Sequence, residues 1–331
     1  MVTRELIPPL PVAARSAAPV AITAFGAEPD EATLFERHAA SLGVQVSITA
    51  APISEANAAL ADGRCVSVGH KSRVTAARLE ALHRAGVRYL STRSIGVDHI
   101  DVRAADRLGI RVEGSSYSPG SVADHTLMLM LMSLRGTASV LRRVASHDYR
   151  LEPSRGRELG ELAVGVVGTG RIGAAVIQRL HGFGSRILTH DPRRPGRPLD
   201  ELLEASDIVT LHAPLTPATH HLLDAARLAR MRPGAVLINT ARGALVDTDA
   251  LLAALESGRL GGAALDVVEG EDGVFYSDRR GRPPGGRLER LHRLPNVIIT
   301  PHTAYYTDRA LADTVTESLR NCLRFEEQHR G

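Results

Sequence analysis

The sequence predicts an α/β protein of two units, each a parallel sheet with helices on both faces. Short apolar runs alternate with helical patterns along 331 residues, which is the signature of βα repetition. The alternation starts twice, near Val20 and again near Ala163, and a chain of this length exceeds one ordinary core.

The first 19 residues hold Pro8, Pro9, Pro11 and Pro19 without a continuous apolar stretch, so they read as a loose extension and not as a signal peptide. Predicted strands follow at Val20 to Phe25, Val44 to Ile48, Cys65 to Val68, Val87 to Leu90 and Ile110 to Val112, with helices at Glu31 to Leu42 and Thr75 to Ala85. Tyr117 to Ser121 is a turn-rich crossing. It leads into a helix, Ser121 to Leu134, whose centre at Leu127 to Met132 is apolar nearly all round, a pattern that belongs in a core or a subunit interface.

The second set begins at Ala163, with predicted strands ending at Val167, His190, Leu211, Thr240, Asp266 or Val267, and Thr300. Asp278 to Arg290, rich in Arg, Gly and Pro, reads as a long surface loop. The amphipathic helix Asp308 to Gln328 has no strand after it, so it is expected to return to the first unit. The expected domains are therefore a discontinuous one, 1–116 with 305–331, and an inserted one, 117–304.

Composition excludes several classes. With 44% hydrophobic and 23% charged residues the chain reads as soluble and globular. The net charge of +3 comes from scattered arginines, with Lys71 the sole lysine, and no basic stripe suggests nucleic acid. No run of 18 apolar residues suggests a membrane span. Cys65 and Cys322 have neither disulfide-framework nor metal spacing, and read as small buried hydrophobes in a reducing cytoplasm.

Chemistry enters at Gly168-Thr169-Gly170-Arg171-Ile172-Gly173, which follows the apolar run Ala163 to Val167 and opens a helix through Phe183. The first glycine permits a tight turn, the second lets backbone approach a pyrophosphate, and the third lets helix pack on strand. Free N–H groups at the helix start then face the phosphates. Asp191 ends the next strand, about 20 residues on, where a carboxylate can accept from both ribose hydroxyls. The second unit is thus expected to be a Rossmann-type nicotinamide dinucleotide domain, and the first a flavodoxin-like one. The run Arg193-Arg194-Pro195-Gly196-Arg197 reads as a solvated loop whose arginines could tolerate a 2′-phosphate.

Ligands of open parallel sheets gather outside the carboxyl ends of the strands. Three strand ends there carry chemistry-bearing residues: Arg242, Asp266 followed by Glu271, and His302. Arg242 offers a planar fork for a substrate carboxylate, and His302 can give a proton to a carbonyl oxygen or take it back. Glu271, paired with the imidazole, would stabilise the imidazolium. No metal is called for. His70, His125, His212 and the pair His220-His221 read as ordinary core or loop residues, and Asp124 as a helix-start or packing residue.

These residues, with Ser67 to Ser72, Ser91 to Gly96, Tyr117 to Pro119, Val166 to Gly170, Leu237 to Thr240, Gly261 to Val267, Phe275 to Asp278 and Ile299 to Thr307, resemble the D-2-hydroxyacid dehydrogenase family over nearly the whole chain after the extension. Within it the resemblance is to the D-lactate dehydrogenase branch of vancomycin-resistance gene clusters. It implies that Arg242, Glu271 and His302 are catalytic. Gly168, Gly170, Arg171, Ile172, Gly173 and Asp191 would hold NAD, with NADPH use possible. Pro214, Thr240, Asp266 and His302 would lie on the nicotinamide side.

The resemblance further implies that the N–H groups of Ile95 and Gly96 bind the substrate carboxylate, and that Tyr117 and Tyr305 line a pocket suited to a methyl-sized side chain. Pyruvate is the expected substrate, reduced to D-lactate for D-Ala-D-Lac synthesis, by a homodimer joined through its cofactor domains. Other 2-oxo acids (hydroxypyruvate, glyoxylate, a longer 2-ketoacid) are alternatives, and a dinucleotide-sensing corepressor or scaffold is a rival of another class. A formate-oxidising relative would be expected to carry glutamine where Glu271 stands.

Overall fold

The computed structural model describes residues 19–151 and 155–329; the expected extension, 1–19, lies outside them but for its last residue. Five strands, β1 (Val20–Phe25), β2 (Val44–Thr49), β3 (Cys65–Val68), β4 (Tyr89–Thr92) and β5 (Arg111–Gly114), form a parallel sheet in the order β2-β1-β3-β4-β5. Helices α1 (Pro29–Leu42), α2 (Ala76–Arg84) and α3 (Val102–Arg107) connect them. Proline at its first position opens α1, and Gly43 in the left-handed conformation (φ +66°) ends it.

Two of these strands begin later than the sequence pattern suggests, and burial explains the difference. Val87 and Ile110 are fully buried, but their N–H groups close the preceding helices by bonding to the Leu82 and Ala105 carbonyls. The strand polar residues Ser91 and Thr92 are buried too. Asn321 donates to the Ser91 hydroxyl at 3.3 Å, and Thr92 Oγ1 lies 3.0 Å from His99 Nε2. One partner 230 residues away and one only seven residues on thus satisfy groups that would otherwise argue against a central strand.

The second sheet contains β6 (Ala163–Val167), β7 (Arg186–His190), β8 (Ile208–Leu211), β9 (Val236–Asn239), β10 (Gly262–Leu265) and β11 (Val297–Ile299), in the order β11-β10-β9-β8-β6-β7. Both sheets share one plan: the chain reverses beside its first strand, between β1 and β3 and again between β6 and β8. Such switch points open a crevice at the strand carboxyl ends.

Between the sheets run α4 (Gly120–Leu134) and α5 (Thr137–Ala145). In the second unit follow α6 (Arg171–Phe183), α7 (Leu199–Ala205), α8 (Ala225–Arg230), α9 (Thr248–Glu256) and α10 (Gly286–Arg293). The surface loop read over 278–290 is therefore shorter, because Leu288 and Leu291 are buried in the second core and draw residues 286–290 into α10. Of α4, Val122, Ala123, Thr126, Leu127, Leu129, Met130 and Leu134 are buried, while Met128 and Leu131 remain 40% and 37% exposed. Asp124 pairs with Arg179 of α6.

The last helix, α11 (Asp308–Gln328), returns to the first sheet. Val315, Leu319, Cys322 and Phe325 pack with Val20, Ile22, Cys65 and Tyr89. Cys65 and Cys322 are free and buried. Among the described residues no helix is long and apolar enough to cross a membrane.

Arg93, just past β4 and 3% exposed, anchors the first unit. Its guanidinium donates to Glu31 Oε1 at 2.8 Å, Ser67 Oγ at 3.1 Å and the Phe25 and Gly26 carbonyls at 3.0 and 2.9 Å. Removing one partner of a buried pair strands the other's charge, at a cost of about 3–5 kcal/mol. Arg93→Met is therefore expected to lower the urea midpoint followed by circular dichroism by the equivalent of about 3 kcal/mol or more; an unchanged midpoint would show that Glu31 needs no partner.

Candidate active site

The glycine turn joins β6 to α6. Gly168 has φ +91°, and a side chain there would lie 2.7 Å from the His212 backbone. A Cβ on Gly173 would come within 2.0 Å of the Gly168 carbonyl, whereas nothing stands within 4 Å of one on Gly170. The first and third glycines are thus closed in by protein, and the second faces open space at a helix start, where a pyrophosphate fits.

Below the turn, Asp191 Oδ2 accepts from the Thr169 amide at 2.9 Å and hydroxyl at 3.1 Å, and its Oδ1 from the Arg193 amide at 3.0 Å. These amide bonds hold the Asp191 carboxyl below the usual carboxylate range. Residues 193–197 are exposed, as a solvated loop would be, and Arg194 within them also folds back to donate to the Thr169 carbonyl.

A cavity of ≈ 540 Å³ separates the two units. Ile95, Gly96 and Tyr117 line it from the first unit and the crossing, and the expected residues Gly170, Arg171, Ile172, Pro214, Thr240, Arg242, Asp266, His302 and Tyr305 line it too. The other expected residues stand behind this wall: Gly168 and Gly173 under the turn, Asp191 beneath Thr169, and Glu271 behind His302.

Arg242 follows β9 and reaches across to the first unit. Its Nε donates to Asp98 Oδ1 at 2.8 Å and its Nη1 to the Ala241 carbonyl at 2.7 Å. The turn that aims it is held by Asn239, which donates to the Arg242 carbonyl at 2.9 Å and accepts from the Ala241 amide at 3.1 Å. Burial raises the Asp98 acid, but Arg242 outweighs it and leaves the carboxyl below its ordinary value. A Cβ on Gly96 would lie only 2.0 Å from Arg242 Nη2, so the guanidinium rests directly on the Ile95-Gly96 loop.

His302 has an unusual backbone, φ +55°, with its N–H bonded to the Asp266 carbonyl at 2.8 Å. Its Nδ1 lies 2.7 Å from Glu271 Oε1, while Glu271 Oε2 accepts from the Val268 amide at 2.6 Å. Asp266, expected beside the nicotinamide, is 0% exposed with its carboxylate fully engaged. It accepts from Thr300 Oγ1 at 2.6 Å, Thr303 N at 2.9 Å and Ala304 N at 3.0 Å, and His125 Nε2 stands 3.4 Å away. Burial pushes the acid up, but these donors bring it below its ordinary value. In this arrangement Asp266 organises the loop that carries His302.

The histidines read as ordinary differ in place. Burial lowers His212 to about 3 and His99 to about 4, so both are neutral near neutral pH, and the half-buried His212 lines the same cavity. His70 enters the cavity wall, its ring centroid 5.2 Å from that of His302 and 4.8 Å from that of Tyr305. Burial pushes the Tyr117 phenol up to about 12, and Tyr305 rises for the same reason. Sequence reading missed Asp98, His70 and Asn239; Asp98 alone carried a signal, being two residues past Gly96.

Known proteins resemble this chain over most of its length. Residues 127–304 match the sequence family described as D-isomer specific 2-hydroxyacid dehydrogenase, NAD binding domain. The chain belongs to the D-2-hydroxyacid dehydrogenase family. It is 53% identical to a D-specific alpha-keto acid dehydrogenase of Enterococcus faecium, over 93% of this chain and 98% of that one. A D-lactate dehydrogenase of Lactobacillus delbrueckii subsp. bulgaricus is 37% identical, over 91% and 94%. Among solved structures, the pyruvate reductase of Chlamydomonas reinhardtii superposes with a TM-score of 0.84 at 32% identity, covering 94% of this chain and 97% of that one.

The enzyme is thus an NAD-binding D-2-hydroxyacid dehydrogenase with the two parallel-sheet units of its family. The close approach of Arg242 to Gly96 gives a direct test. Gly96→Ala would push aside the flexible ends of Arg242 and of its partner Asp98 and meet no backbone atom, so kcat/KM for a 2-oxo acid is expected to fall about 100-fold with the melting temperature unchanged. Activity near wild type would show that the guanidinium does not need this seat.

Proposed function

We propose that the dehydrogenase reduces a short 2-oxo acid, pyruvate foremost, to the D-2-hydroxy acid. The observation that carries this reading is the pairing of two groups on one cavity. Arg242 lies on the Ile95-Gly96 loop, and His302 is held by Glu271 at Nδ1, leaving Nη2 and Nε2 without hydrogen bonds among the described residues.

The Ile95 and Gly96 amides with Arg242 bind the substrate carboxylate, and the guanidinium polarises the neighbouring carbonyl oxygen. His302, protonated on both nitrogens, donates from Nε2 to that oxygen; in the reverse direction Nε2 takes the proton back. Glu271 fixes the ring and stabilises its positive charge. NADH, when bound along the glycine turn, supplies the hydride to C2. Tyr117 and Tyr305 wall the pocket and suit a methyl-sized substituent. Asp191 favours the free ribose of NAD, while Arg193 and Arg194 beside it leave room for NADPH.

In our reading the enzyme acts in the cytoplasm and supplies D-lactate to D-Ala-D-Lac synthesis in glycopeptide resistance, as the resemblance implies; an adjacent ligase gene would support that role. It pairs through the face where Met128 and Leu131 of α4, Leu141 and Val144 of α5 and Phe183 of α6 stand partly exposed, an apolar patch of the kind a second copy covers.

His302→Ala and Arg242→Ala are expected to cut pyruvate turnover by about 100-fold or more, and Glu271→Gln by less; normal turnover of the His302 variant would sink the mechanism. Across a panel of hydroxypyruvate, glyoxylate and longer 2-ketoacids, pyruvate is expected to have the highest kcat/KM. One methylene in such a pocket is worth about 1–3 kcal/mol, so a longer acid ranking first would move the assignment. For the oligomer, light scattering should give a dimer for the wild type and a monomer for Leu131→Asp/Leu141→Asp, and a monomeric wild type would remove the interface.

A further inference from the structure

Tyr276 and His302 both have positive φ, +61° and +55°, a conformation that non-glycine residues keep only where their surroundings enforce it. One hydrogen bond joins them: Tyr276 Oη donates to the His302 carbonyl at 2.8 Å. The phenol has a single proton, which this bond uses, so its oxygen accepts from His70 Nε2 at 3.0 Å. His70 belongs to the other unit, two residues past β3. Burial first, and then the cations around it, keep its ring neutral, which fixes the tautomer as Nε2–H.

This chain of bonds lies within a larger contact. Lys71 Nζ sits 5.4 Å over the Tyr276 ring, and Arg73 Nε donates to Asp272 Oδ2 at 2.8 Å. Residues 70–73 of one unit therefore lie on residues 272–276 of the other, immediately beyond Glu271. Tyr276 is 41% exposed and outside both cores, so packing does not account for it.

We propose that His70 and Tyr276 are positioning residues, whose bonds hold His302 in its working backbone conformation only while the two units are closed. The inference rests on His302 being the proton donor. Opening the cleft separates His70 from Tyr276, frees the phenol and removes one restraint on the His302 peptide. Proton donation is thereby tied to closure, and the tie passes through the main chain of His302, whereas Glu271 acts on its ring.

The test uses the full-length enzyme with pyruvate and NADH. Tyr276→Phe and His70→Leu are each expected to lower kcat about 10-fold, the loss of roughly one hydrogen bond, with KM for NADH and the melting temperature unchanged. His70→Gln keeps an N–H donor at similar reach and should restore most of the rate. The double variant His70→Leu/Tyr276→Phe should be no slower than the worse single one. Wild-type kcat in Tyr276→Phe, or losses that multiply in the double variant, would overturn the relay while an inactive His302→Ala left the proton-donor reading standing. Full turnover in His302→Ala would remove that reading and the relay together.

Discussion

The cleft depends on one buried carboxylate. Asp266 follows β10 directly, and its two carboxylate oxygens gather the Thr300 hydroxyl and the Thr303 and Ala304 amides, while its own carbonyl receives the His302 N–H. His125, on the helix by which the chain leaves the first unit, stands 3.4 Å from the carboxylate oxygen, Oδ1, that Thr300 and Thr303 also reach. The loop that Asp266 folds is the one by which the chain goes back. Both passages between the units thus meet at a charge that burial makes costly unless every donor is present. His302 is placed by the same set of bonds, so its geometry and that of the two passages between the units have a common origin.

From that point the cleft is spanned on two sides. Arg242 crosses toward the first unit and is met by Asp98, and His70 crosses toward the second and is met by Tyr276. Both crossings join a loop after a strand of one sheet to a loop after a strand of the other, as expected where two sheets of the same plan present their carboxyl ends to each other. The glycine turn lies at the switch point of the second sheet. The second glycine of that turn, Arg242 and His302 therefore share a cavity because of topology, before any particular contact is considered.

Much of this was legible in the sequence because it is local. A strand end followed by glycines, by arginine or by Pro301-His302 is a short-range pattern, and the return of α11 followed from an amphipathic helix with no strand to follow. What was hidden depends on pairs far apart in the chain. Asp98 and Arg242 are 144 residues apart, and His70 and Tyr276 are 206 apart. The late starts of β4 and β5 were hidden because Val87 and Ile110 look like strand residues yet serve as helix closures. The start of α10 was hidden by glycine, proline and arginine, which conceal the two leucines that the core requires.

Lys71 is the only lysine in the chain, and it rests on the Tyr276 ring across the mouth of the cleft. An amine-selective reagent therefore finds one side chain in the whole molecule, and that side chain stands where the two halves meet. The arginine-rich composition, which says little about ligands, leaves the protein with a single side-chain amine, placed at the contact between its two units.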